Sequence, residues 1–373
     1  MMPIAGKRTR NSNIELMRIV AMLLIVAHHF SYHGGFSFDP ATITFNMLWI
    51  QFIQLGGKVG VNVFVLISGY FLVAKRTSII TKAMKLWMQM LTYSLAISLA
   101  AVLLGFMVFN KDLLLEAIFP VSTHQWWFAT SYFYLLLLSP LINYIIVLLK
   151  KNGHRVVLAI MLLVWCVLPS IGYVSPNVNV GAPYYSNLAW FITLYATGAY
   201  IRLWHDELKR NAAFYIIAAA GVYLLTFISA VVYDHLNTIQ NEIEYYPTAF
   251  YEMNSLLVLI AAVLLFMGFK TLSINRSRLI NTIASASFGV YLLHDHDLTR
   301  PFIWDMLFKN ASFENSPYLV LYSIFAVLVV YIVCTLVELM RQGLLEKHYM
   351  PLIKKVSGWI NGKIEALAVK RVI

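Results

Sequence analysis

Apolar stretches close to one membrane thickness recur along this chain, divided by short polar segments. They fall at roughly 13–33, 46–74, 84–109, 125–149, 155–172, 186–204, 212–233, 247–270, 279–297 and 317–341. About 20 apolar residues are needed to cross a hydrocarbon layer as a helix, and a helix satisfies its own backbone hydrogen bonds where water is absent. The pattern therefore predicts an all-α, polytopic transmembrane bundle of about ten helices. One domain covers 1–341, and a basic cytoplasmic tail follows over 342–373. That tail sets Trp359 among several lysines, the composition of an interfacial helix.

The polar segments set the orientation. Of 28 Lys and Arg residues, all but Lys58, Lys111, Arg300 and Lys309 fall on one side of the alternation. Basic residues stay in the cytoplasm, so the even helix count predicts that both termini are cytoplasmic. The expected location is the inner, cytoplasmic membrane, with lipid as the surrounding partner.

Composition removes the other classes. The chain is 60% hydrophobic and 12% charged, whereas a soluble domain is about 25% charged. Its net charge of +11 could suggest a nucleic-acid partner, but such proteins gather basic residues on one polar face. Here they lie in short clusters between apolar runs, and no nucleic acid is expected. Cys166 and Cys334 both sit inside apolar runs, which excludes a disulfide framework or a cysteine zinc site.

The first helix carries the most chemistry. Ser12 and Glu15 have the spacing of a capping box and predict a start at Ser12. Arg18 and His29 are eleven residues apart, about three turns, so they share a face about 16 Å apart along the axis. Glu15 and His33 lie near that stripe, while His28 is rotated about 100° away. Charged groups inside a membrane cost at least a few kcal/mol and generally mark function. The bland alternative is that Arg18 and the histidines snorkel to the two surfaces.

These residues also resemble a family. Ile14-Glu15-Leu16-Met17-Arg18 followed by His29 is similar to the opening signature of the acyltransferase-3 family, integral-membrane enzymes that O-acylate sugars and cell-surface glycans. Gly60-Val61-Asn62-Val63-Phe64-Val65-Leu66-Ile67-Ser68-Gly69-Tyr70 resembles its second-helix motif, with Asn62 where an aspartate is common. Trp126-Trp127-Phe128 with Ser139-Pro140-Leu141, then Phe288-Gly289-Val290-Tyr291-Leu292-Leu293-His294, and finally Glu338 resemble its later helices. The likeness runs from residue 14 to residue 338.

The resemblance implies transfer of an acyl group, most simply acetyl, from cytoplasmic acyl-CoA to a hydroxyl of an extracytoplasmic glycan or lipid-linked sugar. Acetyl-CoA is then the co-substrate. His29 would act as general base or be acylated itself, with Glu15 and Arg18 as the other catalytic candidates. Arg18, Ser68, Lys75, Arg76 and Lys82 are candidates for donor binding, through charged hydrogen bonds to phosphate. Ser68 beside Gly69 also reads as close helix packing, and the basic residues as ordinary positive-inside charge.

Weaker candidates lie near the acceptor side: His33, Trp127 and His294. The run His294-Asp295-His296 reads as an acceptor-site lining or as a solvated helix end. No fourth ligand accompanies it, so no metal is expected. Trp126 and Trp127 read as interfacial anchors or sugar platforms. Glu338 stands three residues before Arg341, the spacing of a helical ion pair. A secondary transporter is the competing class, but the internal repeats typical of transporters are not evident.

Overall fold

In the computed structural model, residues 11–39, 42–74, 78–172, 186–205, 210–239 and 249–369 are described, with side chains as far as Lys363. Among these residues all regular structure is helical. The elements are α1 (Ser12–Tyr32), α2 (Phe45–Leu72), α3 (Ile79–Leu103), α4 (Lys111–Ile118), α5 (Trp127–Leu162), α6 (Leu168–Gly172), α7 (Asn187–Trp204), α8 (Ala212–Ile239) and α9 (Leu256–Thr271). They continue with α10 (Arg278–Ser285), α11 (Ser287–His294), the single turn α12 (Thr299–Pro301), α13 (Leu319–Arg341) and α14 (Lys347–Val369).

Among the described residues, seven helical stretches are long and apolar enough to cross a membrane. Each of the ten apolar runs is helical over most of its described length, with three revisions. The fourth and fifth runs merge into α5, broken at Lys150, where φ is 53°. A non-glycine residue in that region interrupts helical hydrogen bonding, and it falls in the polar run Lys150-Lys151-Asn152-Gly153. The eighth run becomes regular helix only at Leu256, after a 3-10 turn at Ala249–Tyr251. The ninth is divided at Ala286 into α10 and α11.

α1 starts at Ser12 as predicted, but its cap is a different residue. Asn11 caps α1, its side chain accepting from Asn13 N. Ser12 lies inside the helix, and its hydroxyl instead donates to Asn281 Oδ1 at 3.2 Å. Lys58, tallied above among the four basic residues off the main side, lies within α2.

α1 is enclosed by α2, α9, α10, α11 and α13. This is why a helix with an acid, a base and three histidines is stable here: its polar stripe faces protein rather than lipid. By contrast α13 turns Leu321, Phe325, Leu328, Ile332 and Leu336 outward, each 44–69% exposed. Those side chains suit lipid, which is no more hostile to leucine than a protein core.

Small residues set the α2–α7 crossing. A Cβ at Gly69 would overlap the Tyr195 carbonyl, and one at Gly198 would overlap that of Leu66. The two backbones approach to a distance that only glycine permits. At the far end of the chain, a π-helical turn at Gln342–Glu346 leads from α13 into α14. α14 returns to α3 through Thr81–Ser357 and Ser78–Asn361 hydrogen bonds, both 2.7 Å.

Candidate active site

Two features converge on α1. A basic cavity surrounds its N-terminal half, and a histidine–carboxylate cluster surrounds its C-terminal half.

The cluster is built by α1 and the end of α11. His29 Nδ1 lies 2.8 Å from His294 Nε2. His294 Nδ1 is 2.6 Å from the Val290 carbonyl, one turn back on its own helix. A carbonyl only accepts, so His294 Nδ1 carries the hydrogen and its Nε2 the lone pair. His29 Nδ1–H therefore donates to His294, and His29 Nε2 becomes the atom that gains or loses a proton. Asp295 Oδ1 stands 3.6 Å from that nitrogen and 3.7 Å from His33 Nε2. Arg300 Nε donates to the same oxygen at 2.8 Å. The Asp295 carboxylate is thus shared by two imidazoles and one guanidinium.

Burial separates this cluster from a wet helix end. His294, Asp295 and His296 are 0%, 1% and 3% exposed, so the reading of this run as solvated is corrected. The cause is packing: α11 is lodged between α1 and α13. Trp126 is likewise no interfacial anchor, being fully buried with Nε1 donating to the Leu292 carbonyl at 3.1 Å. Trp127 packs on Phe128 and Phe191, at 5.9 and 6.3 Å between ring centres.

His28 occupies another environment. Its ring lies over Gly57 of α2, and Nδ1 is 2.5 Å from the Gln54 carbonyl. The two adjacent histidines thus face different helices, as the rotation along α1 requires.

The basic cavity measures about 1230 Å³. Arg18, Lys82, Lys85, Arg202, Arg276 and Arg278 line it, opposed by the acids Glu15 and Glu346. Arg18 is held by Glu15 at 3.1 Å, so Glu15 serves the cavity rather than the histidines. Ser68 also lines the cavity, with its Oγ 2.8 Å from the Tyr132 hydroxyl. Lys75 and Arg76 lie outside the described residues. Arg202, Arg276 and Arg278 were not singled out in the sequence, where they look like ordinary loop charges. Only folding brings these two segments, around 202 and around 276–278, to one mouth.

An ionic network supports the cavity wall. Glu338, 1% exposed, is gripped by Arg341 at 2.7 and 2.8 Å and receives hydrogen bonds from Gln89 and Tyr93 of α3. Arg341 also bonds Glu346, which in turn pairs with Lys85. The spacing of Glu338 and Arg341 thus yields an ion pair. A Cβ at Gly289 would overlap the Glu338 carboxyl, so α11 and α13 approach closely at this point.

Aromatic rings lie between cavity and cluster. Phe128, Tyr132 and Phe288 line the cavity. Phe128 and Phe288 reach Tyr291 at 5.4 and 6.1 Å between ring centres, and Tyr291 reaches His294 at 6.4 Å.

A set of metal-ligand atom types is present as well, since His29, His33 and Asp295 hold theirs within 4.8 Å of one another. Arg300 already occupies Asp295 Oδ1, the oxygen nearest both imidazoles. The donor set fits an ion pair better than a cation, because a guanidinium and a divalent ion compete for one carboxylate oxygen.

These features define a multi-pass membrane protein with a polar cavity inside a helical bundle. A family model described as an acyltransferase domain, acyltransferase family 3, matches residues 11–337, and the chain belongs to that family. No curated protein and no solved structure matches it.

Proposed function

We propose that this acyltransferase moves an acetyl group from acetyl-CoA, bound from the cytoplasmic side, to a hydroxyl of an extracytoplasmic glycan or lipid-linked sugar. The observation that carries this reading is a six-cation cavity whose lining rings Phe128 and Phe288 pack on Tyr291, and through it on the His294 that bonds His29. CoA is a polyanion with a long, slender pantetheine arm. A cationic mouth suits its phosphates, and the arm suits an apolar passage toward His29. Arg18, Ser68 and Lys82 would contact the donor, together with Arg202, Arg276 and Arg278; Lys75 and Arg76 remain donor-site candidates on sequence grounds.

In the reaction, the acceptor oxygen attacks the thioester carbon as its proton passes to His29 Nε2. The C–O bond forms and the carbonyl electrons move to oxygen. Collapse of that intermediate breaks the C–S bond, and the imidazolium returns the proton to the departing sulfur. Asp295 stabilises the transient imidazolium, while His294 holds the ring in the required tautomer. His33, 23% exposed at its side chain, is the acceptor-side rim of this cluster; Trp127 is proposed to act near the same acceptor.

Ten crossings, cytoplasmic termini and the inner membrane complete the proposal, supported by the charge asymmetry. The test is release of free CoA thiol from acetyl-CoA in membrane vesicles, with mass spectrometry of surface glycans from cells lacking the protein. CoA release together with loss of an acetyl increment from a glycan is the expected result. Transport of a solute without thioester loss would overturn it.

A further inference from the structure

Arg276 and Arg278 reach the cavity from the end of a segment, 272–277, that has no regular structure of its own. Both residues are exposed, and among the described residues no hydrogen bond or ion pair holds either guanidinium. Their place at the mouth is therefore set by the backbone that carries them. The peptide groups of that backbone find no partners in a helix of their own, and they need some.

The start of α1 supplies them. Asn13 bonds the segment twice: its Oδ1 accepts from Ile274 N at 2.9 Å, and its Nδ2 donates to the Leu272 carbonyl. Ser12 Oγ accepts from Ser277 N at 2.9 Å and donates to Asn281 Oδ1 at 3.2 Å. Ser277 stands between the two arginines, and its own hydroxyl caps α10 by accepting from Ile280 N. Ser12 and Asn13 are 2% and 6% exposed, so water competes little for these bonds. Neither lines the cavity. Glu15, in the same first turn, holds Arg18. One turn of α1 thus governs three of the six cavity cations.

On the reading of the cavity as the acyl-CoA site, we infer that Ser12 and Asn13 are positioning residues for donor binding. They touch neither the donor nor the reacting atoms. They stitch the 272–277 backbone to α1, so that Arg276 and Arg278 stand ready for the donor's phosphates. Without the stitch the donor itself must order both arginines, and that ordering subtracts from affinity.

The test is equilibrium binding of acetyl-CoA to detergent-purified, full-length protein, with CoA release followed in inverted membrane vesicles that carry the native acceptor. Ser12→Ala removes only the hydroxyl, and Asn13→Leu keeps the side-chain size while removing both bonds. Each should raise the Kd and KM for acetyl-CoA about five- to fiftyfold. The kcat at saturating donor should stay within about twofold of wild type, which also certifies the fold. Combined with Arg278→Ala, Ser12→Ala should cost less affinity than it does alone, because part of what it positions is already gone. Combined with Arg202→Ala, on α7, the two losses should multiply. Unchanged affinity in both variants, a fall in kcat at unchanged Kd, or losses that multiply in both backgrounds each overturn the assignment and leave the acetyltransferase reading standing. A wild type that neither binds nor cleaves acetyl-CoA overturns that reading and this inference with it.

Discussion

His29 Nδ1 and His294 Nε2 meet at 2.8 Å across 265 residues of chain, tying α1 to α11 at the centre of the bundle. The bond orients the His29 ring, because the Val290 carbonyl dictates the His294 tautomer and His294 in turn dictates that of His29. Asp295, one residue on, supplies the counter-charge.

Substitution should separate the adjacent histidines. His29→Ala is expected to reduce acyl transfer by at least about a hundredfold, the usual contribution of a general base. His28→Ala should retain much of the activity per molecule of membrane-inserted protein, because His28 packs over Gly57 and away from Asp295. CoA release normalised to protein in the membrane measures both. A dead His28→Ala beside an active His29→Ala would reverse the assignment.

Donor affinity should depend on the convergent cations. Arg276→Ala, Arg278→Ala and Arg18→Ala are each expected to weaken acetyl-CoA binding by about ten- to a hundredfold, if each removes a charged hydrogen bond of about 1.5–3 kcal/mol. Dephospho-CoA, which lacks the 3′-phosphate, should reveal which arginine meets that group: the variant of that residue loses nothing further. Isothermal titration with purified protein reads these effects, and unchanged affinity in all three variants would return them to topology determinants.

Chelation should leave the enzyme active. Arg300 donates to Asp295 Oδ1, the oxygen that also faces His29 and His33, so dialysis against EDTA is expected to preserve CoA release. Loss of activity restored by Zn²⁺ would show that the three residues hold an ion after all.

Topology can be read by labelling. Cysteines placed at Asp39 and Lys111 should react with an impermeant thiol reagent from outside the cell, whereas cysteines at Lys151 and Arg276 should react only after permeabilisation. The native Cys166 and Cys334 are buried and give a low background. Two reversed positions would sink the ten-crossing arrangement.

The sequence by itself determined the helices, because lipid leaves the backbone almost no other way to satisfy its hydrogen bonds. It also determined the face of α1 that carries Arg18 and His29 and the different direction of His28, since both follow from 3.6 residues per turn. Local spacing anticipated the Glu338–Arg341 pair as well. Where competing partners were distant, local rules failed. Ser12 looked like a cap, yet Asn281 claims its hydroxyl and Asn11 does the capping. Tertiary structure alone decided that His294 meets His29, that Asp295 is buried beside them, and that Arg202, Arg276 and Arg278 open on one cavity. These depend on which helices become neighbours. Helix adjacency is set by packing between surfaces far apart in the chain, such as Gly69 against Tyr195 and Gly289 against Glu338, and no periodicity within a single segment encodes it.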